Sequence, residues 1–172
     1  PVIRTKKTLE EMEPGQVLEV RATDKGSVAD LPTWAKRAGH QYIGVKEENG
    51  VYRHFLRKAS VHEINEETGF VRKISNEQLS EKLAAGENLV VIDVREPAEF
   101  AFGHVPGAIS IPLGELERRL DELKPDQPYA VICRTGNRSD LACKIMSERG
   151  FTQLWNVVPG MSRWHGEVES DL

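Results

Sequence analysis

Hydrophobic positions follow two different rhythms along this chain. Over the first third, helical and strand periods are mixed in short stretches. Val2, Ile3, Leu9 and Met12 form a partial apolar stripe, and Lys6-Lys7 stand four residues before Glu10-Glu11. That pattern predicts a helix over 1–13, with Pro1 tolerated in its first turn and Pro14-Gly15 ending it. Val17, Leu18, Val20 and Ala22 predict a strand over 16–22. Ser27 or Asp30 is the expected cap of a second helix, running to about Ala38 and stopped by Gly39. Strands over 41–46 and 51–57 follow, joined through Asn49-Gly50, a strong hairpin signal. The order α-β-α-β-β implies a small α+β unit over 1–58.

Residues 59–70 carry many polar side chains and no clean period, and are read as a linker. Beyond them strands and helices alternate. Ser75 with Gln78 is a capping box opening a helix to about Ala85. Leu89-Val90-Val91-Ile92 is a continuous apolar run, as expected of a strand buried on both faces. A short helix or turn is predicted over 96–102, a loop over 104–108, a strand over 109–111 and a helix over 114–123. Next come a strand over 129–132, a helix over 139–149 closed by Gly150, a strand over 154–157 and a helical turn over 161–166. Such alternation implies a mostly parallel sheet flanked by helices, with its site at the carboxyl ends of the strands.

Composition narrows the class. Of 172 residues, 39% are hydrophobic and 29% charged, which suits one or two small domains with real cores. No apolar run approaches the roughly 18 residues of a membrane helix, and no signal segment opens the chain, so no membrane association is expected. Two cysteines make no disulfide framework and suit a reducing compartment, with cytoplasm the default. The net charge of −4 is uneven: +3 over 1–59 and −7 over the rest. Two ordinary solvated surfaces account for that; a mutual attraction of the halves or an acidic partner for the first is the sharper reading. Neither half has the basic density of a DNA-binding protein. The first residue is Pro1, so the sequence is read as starting inside a longer chain.

The chemistry concentrates in Cys133-Arg134-Thr135-Gly136-Asn137-Arg138-Ser139. A cysteine ends the apolar run 129–132, a tight loop with Gly136 follows, and a helix starts next. Loop N–H groups and a helix N-terminus then converge on whatever the sulfur carries. The same field favours the thiolate, the reactive form of a group whose free value is about 8.5. Arg134 and Arg138 add positive charge.

The second half resembles a single rhodanese domain over about 71–166. The carrying residues are Val91-Ile92-Asp93-Val94-Arg95-Glu96-Pro97, Glu99-Phe100, Gly103-His104-Val105-Pro106-Gly107-Ala108, the 133–139 loop, and Asn156, Pro159-Gly160-Met161 and Trp164. Pro159 departs from the glycine common there. The resemblance implies an α/β domain over 71–172 that transfers sulfane sulfur, with Cys133 as the nucleophile. Cys133 would take sulfur from thiosulfate or a persulfide, carry it as a persulfide and pass it to a thiol or a carrier protein, with no further cofactor and no metal. Arg134, Thr135, Gly136, Asn137, Arg138 and Ser139 would form the persulfide loop, one of the arginines drawing in the anionic donor. Asp93 and Arg95 would brace that loop, and His104 would make a structural hydrogen bond beside it.

The first half resembles the TusA-like (SirA-like) sulfur carriers. Pro1-Val2-Ile3, Leu9, Met12, Pro14-Gly15, Val20, Ala22-Thr23-Asp24, Asp30-Leu31-Pro32, Trp34, Gly39-His40, Tyr52 and Phe55-Leu56-Arg57-Lys58 carry it. It implies a two-layer α+β fold. The carrier cysteine of that family's Cys-Pro-x-Pro segment would stand three positions before Pro1, beyond a first strand that also lies outside this sequence. A relay between Cys133 and that carrier cysteine is the implied mechanism. Two other classes remain for the loop: a module that senses persulfide without turnover, and a phosphatase or arsenate reductase. Tyrosine phosphatases use Cys-x5-Arg, whereas Cys133 to Arg138 is Cys-x4-Arg, a tighter ring that suits sulfur. Cys143 is either a resolving thiol or a small packing residue, the latter matching the rhodanese pattern. His40, His54, His62 and His165 have no metal-ligand spacing.

Overall fold

Residues 2–59 and 69–172 are described by a computed structural model of the chain, which divides into two compact units. The linker expected over 59–70 lies, for 60–68, outside the described residues. Phe70, read as its last residue, packs against the second unit's core and donates its N–H to Asp140 Oδ1.

The first unit runs α1 (Val2–Glu11), β1 (Val17–Ala22), α2 (Ser27–Ala38), β2 (Gln41–Glu48) and β3 (Val51–Arg57). The three strands pair antiparallel in the order β1-β3-β2, with β3 central. Leu9 of α1, Ala35 of α2 and Leu56 of β3 are fully buried together, flanked by Met12, Leu18, Val20, Trp34 and Tyr42. Two helices thus cover the sheet through an amphipathic stripe, as the sequence pattern requires.

Neither Ser27 nor Asp30 caps α2. Gly26 holds the cap position, and Ser27 is the first helical residue. The reason is a buried imidazole. His54 of β3 is fully buried, and Ser27 Oγ lies 2.9 Å from its Nε2 while Tyr42 OH lies 2.7 Å from its Nδ1. Because Ser27 donates its own proton to the Asp24 carbonyl (2.7 Å), His54 Nε2–H donates to Ser27 and Nδ1 accepts from Tyr42. Both nitrogens are satisfied in the neutral ring.

Burial holds His54 below the ordinary histidine value near 6.5 and pushes the Tyr42 phenol up to about 12. His40 is also lowered, by burial and by the Lys58 charge. The unfolded chain therefore binds protons, on falling through about pH 6.5, that the folded unit refuses. The stabilisation is complete above that value and is lost as pH falls toward the depressed folded one. Thermal melts of the full chain between pH 7.5 and 5 are expected to show the first unit losing stability on acidification, and His54→Gln to flatten that slope. An unchanged slope in the variant would remove His54 from the account.

The second unit runs β4 (Lys73–Ser75), α3 (Asn76–Ala84), β5 (Val90–Asp93), α4 (Pro97–Phe102), β6 (Ile109–Ser110), α5 (Leu116–Arg119), β7 (Tyr129–Ile132), α6 (Asn137–Glu148) and β8 (Leu154–Val158). These five strands pair parallel, in the order β4-β8-β7-β5-β6. Side chains along β7 alternate between two cores. Tyr129 and Val131 join Ile92, Leu116, Met146 and Phe151 on one face, while Ala130 and Ile132 join Val91, Leu79, Ile74 and Val157 on the other. Both faces are covered, which is why the strand reads as an unbroken apolar run.

Three expectations shift. The sequence pattern gave no sign of β4, whose three residues are too few for a period; it exists because β8 offers an edge to pair with. The helix expected over 114–123 is one α-turn between 3-10 turns, Leu113–Glu115 and Leu120–Glu122. α6 begins at Asn137 rather than Ser139. The capping box of Ser75 and Gln78 forms in both directions.

Candidate active site

β7 lies between β8 and β5, and the chain leaves its carboxyl end at Cys133. Only Arg134, Thr135 and Gly136 separate that cysteine from α6, and Gly136, at φ 95°, is the helix N-cap. Asn137, Arg138 and Ser139 are therefore the first three helical residues, and their position places the helix N-terminus at the sulfur. Gly136 donates its N–H to Cys133 Sγ at 3.1 Å, and Ser139 Oγ lies 3.3 Å from the same sulfur. Cys133 itself is wholly buried.

The first two carbonyls of the loop are tied down by the segment after β8. Met161 N–H donates to the Cys133 carbonyl (2.8 Å) and Ser162 N–H to that of Arg134 (2.9 Å). Gly160 permits this approach: at φ 100°, a Cβ there would stand 2.5 Å from the Cys133 carbonyl oxygen, where no side chain fits. The Asn76 side chain clamps Gly160 from the start of α3, donating to its carbonyl (2.9 Å) and accepting from its N–H (3.1 Å). The preceding Val158-Pro159 peptide is cis.

Charge at the loop is partly neutralised. Arg138 makes a bidentate pair with the buried Glu99 of α4, at 2.7 and 3.1 Å. Burial alone would lower the Arg138 pKa; hydrogen bonds and charge from Glu99, with Cys133 and Asp93 nearby, raise it instead. Burial lowers Arg134, Glu99 opposing and Arg138 adding to the effect. Arg138 is thus paired with a carboxylate, while Arg134 is the other arginine of the loop. Arg134 and Thr135 sit half-buried in the loop, and Asn137 half-buried at the helix start.

The expected braces hold a neighbouring segment. Asp93, at the end of β5, accepts from the Arg95 backbone N–H and guanidinium, and Arg95 also donates to the Gly103 carbonyl (2.8 Å). That pair fixes the stretch 93–103. His104 is buried, stacked 3.7 Å from the Phe100 ring, with Nδ1 on the Phe100 carbonyl (2.8 Å) and Nε2 3.6 Å from Glu169. Among the described residues, its contacts do not reach the 133–139 loop. Supports of the loop among the described residues include Glu99, Asn156 and Gly160, the last held by Asn76. The motif segments contained three of these, but nothing in their spacing marks partners 39, 84 or 20 residues away.

Cys143 lies in the core with Met146 and Phe151, and burial, then Asp140 and Cys133, pushes its thiol far up. It is a packing residue there. Both cysteines are free. No helix among the described residues is long and apolar enough to cross a membrane.

A cysteine set between a central parallel strand and a helix N-terminus, in a sheet covered on both faces, defines an α/β protein with a buried thiol at the carboxyl end of its strands. The family model for the rhodanese-like domain matches residues 75–167, and that for sulfurtransferase TusA matches 1–58. The chain belongs to the rhodanese-like family and carries a TusA domain ahead of its rhodanese domain. It is 44% identical to a putative sulfur carrier protein of Bacillus subtilis, YrkF, over 98% of this chain and 91% of that one. Its first unit is 52% identical to the sulfur carrier protein TusA of Allochromatium vinosum, over 35% of this chain and 78% of the relative. A crystal structure of a rhodanese-related protein from Thermoplasma volcanium superposes with TM-score 0.53 at 35% identity, over 58% of this chain and 98% of that one. The family's chemistry is sulfur transfer.

Proposed function

We propose that Cys133 takes sulfane sulfur from thiosulfate or a low-molecular-weight or protein persulfide, holds it as Cys133–S–SH, and hands it to a thiol. A TusA-type carrier is the natural acceptor, so that the two kinds of domain work as a relay. The observation that carries this reading is the convergence of the Gly136 N–H and the Ser139 hydroxyl on Cys133 Sγ at the start of α6. Covalent capture splits one transfer into two, and the sulfur rides on the cysteine, so no organic cofactor is required. Residues 1–58 contain no cysteine, so the acceptor thiol comes from outside them. Asp93, Arg95 and His104 act at one remove, holding the segment beside the loop.

Treatment with thiosulfate or a persulfide, followed by peptide mass spectrometry, is expected to find one added sulfur on the Cys133 peptide. Addition of a TusA-type carrier should then move that mass to the carrier's cysteine. A peptide that stays unmodified with every donor would sink the proposal. The complete burial of Cys133 favours one second reading, a module that holds persulfide as a signal without turnover. Loading without discharge to any thiol would select it.

A further inference from the structure

Asn156 of β8 takes no part in the chemistry above, yet its fully buried amide has both ends on the cradle. Its Nδ2 donates to the Gly136 carbonyl (3.1 Å), and its Oδ1 accepts from the Ser139 hydroxyl. With Gly136 N–H on the sulfur and Ser139 Oγ beside it, four groups close a ring: Cys133 Sγ, Ser139, Asn156, Gly136 and back to sulfur.

The ring's polarity follows from its one group that can only accept. The Gly136 carbonyl requires the NH2 end of Asn156, which leaves the amide oxygen facing Ser139. Ser139 has a single proton and gives it to Asn156, so it turns a lone pair to the sulfur. That arrangement suits a thiol, whose S–H can donate to Ser139. It does not suit a thiolate, which needs donors. When Cys133 ionises, the Ser139 hydroxyl must leave Asn156 and turn to the sulfur.

We propose that Asn156 is a positioning residue that competes with Cys133 for the Ser139 proton, making that hydroxyl a switch that follows the negative charge. The inference rests on the sulfur-transfer reading for its purpose. In loading, the Cys133 thiolate attacks the outer sulfur of R–S–SH. The new Sγ–S bond forms as the old S–S bond breaks, and the electron pair leaves with RS⁻, giving Cys133–S–SH. Sγ is then neutral and divalent, and the Ser139 proton returns to Asn156. In discharge, an acceptor R′S⁻ takes the outer sulfur as R′–S–SH. Sγ leaves as thiolate, and the hydroxyl swings back to it.

The competition fixes signs that mere structural support does not. The readout is the pH midpoint of Cys133 alkylation by iodoacetamide in the full chain, followed on the Cys133 peptide. Arg134, Arg138, Glu99, Asp93, Asp140 and Cys143, charged and titratable groups near this sulfur, stay in place. Ser139→Ala removes the donor and should raise the midpoint by about 0.5–1 pH unit. Asn156→Leu removes the competitor and should lower it by a similar amount. Asn156→Asp, which holds the hydroxyl harder and adds charge, should raise it. In the Ser139→Ala background, Asn156→Leu should give no downward shift. An upward or absent shift in a folded Asn156→Leu, or the same downward shift without Ser139, would overturn the proposal. If Asn156→Leu does not fold, an unmoved midpoint in either Ser139→Ala or Asn156→Asp overturns it. Persulfide loading of the unmutated chain is measured separately. Its failure would count against the sulfur-transfer reading and leave the alkylation result standing.

Discussion

Cys133→Ser is expected to cut thiocyanate formation from thiosulfate and cyanide by at least about three orders of magnitude, with the fold intact. The serine hydroxyl nearly matches the thiol in size, and the Gly136 N–H and Ser139 Oγ that meet the sulfur can meet an oxygen. What is lost is the nucleophile. A hydroxyl stays protonated at neutral pH, with no general base among its described contacts, and cannot carry a stable sulfane sulfur. The check is a cyanide assay with a thermal melt on the same preparation. Residual turnover within tenfold of the parent would place the chemistry elsewhere. Aryl phosphate hydrolysis should be absent from parent and variant alike.

Glu99→Gln is expected to damage the fold more than any surface change. Arg138 is nearly enclosed, and both ends of its guanidinium meet the Glu99 carboxylate. Removing one member of such a buried pair costs about 3–5 kcal/mol, because the other is left charged and unbalanced. At roughly 4–8 °C per kcal/mol for a domain of this size, the second unit's Tm should drop by more than about 10 °C. Replacing both together, Glu99→Leu with Arg138→Leu, should recover much of that loss, since no buried charge is stranded. Calorimetry on the full chain separates these outcomes. A double variant as unstable as Glu99→Gln would mean that the two side chains matter for packing and not for charge.

Much of this molecule is legible in its sequence. Asn49-Gly50, the Ser75–Gln78 capping box and the run 129–132 each carry their cause within a few residues, so local physics suffices to find them. Cys133 was legible for the same reason: strand, loop and helix are contiguous. What stayed hidden depends on partners distant in sequence. β4 exists because β8 pairs with it, and Ser27 leaves its expected capping role because His54 needs it from 27 residues away. Asn156 reads as part of a closing motif, and the spacing of Asp93 and Arg95 does not show that they pair with each other and hold the stretch that carries Glu99. Hydrophobic rhythm reports which face is buried, and says nothing of which buried polar groups find one another.

The clamp of Asn76 on Gly160 bears on how the protein is made. Two residues 84 positions apart hold the segment whose Met161 and Ser162 N–H groups meet the carbonyls of Cys133 and Arg134. A nascent chain that has just exposed Cys133 still lacks the segment that orients its loop. Domains fold as units, the earlier part of a chain waiting for the later. The thiol is therefore synthesised unarmed, and gains its cradle only when nearly the whole domain has left the ribosome.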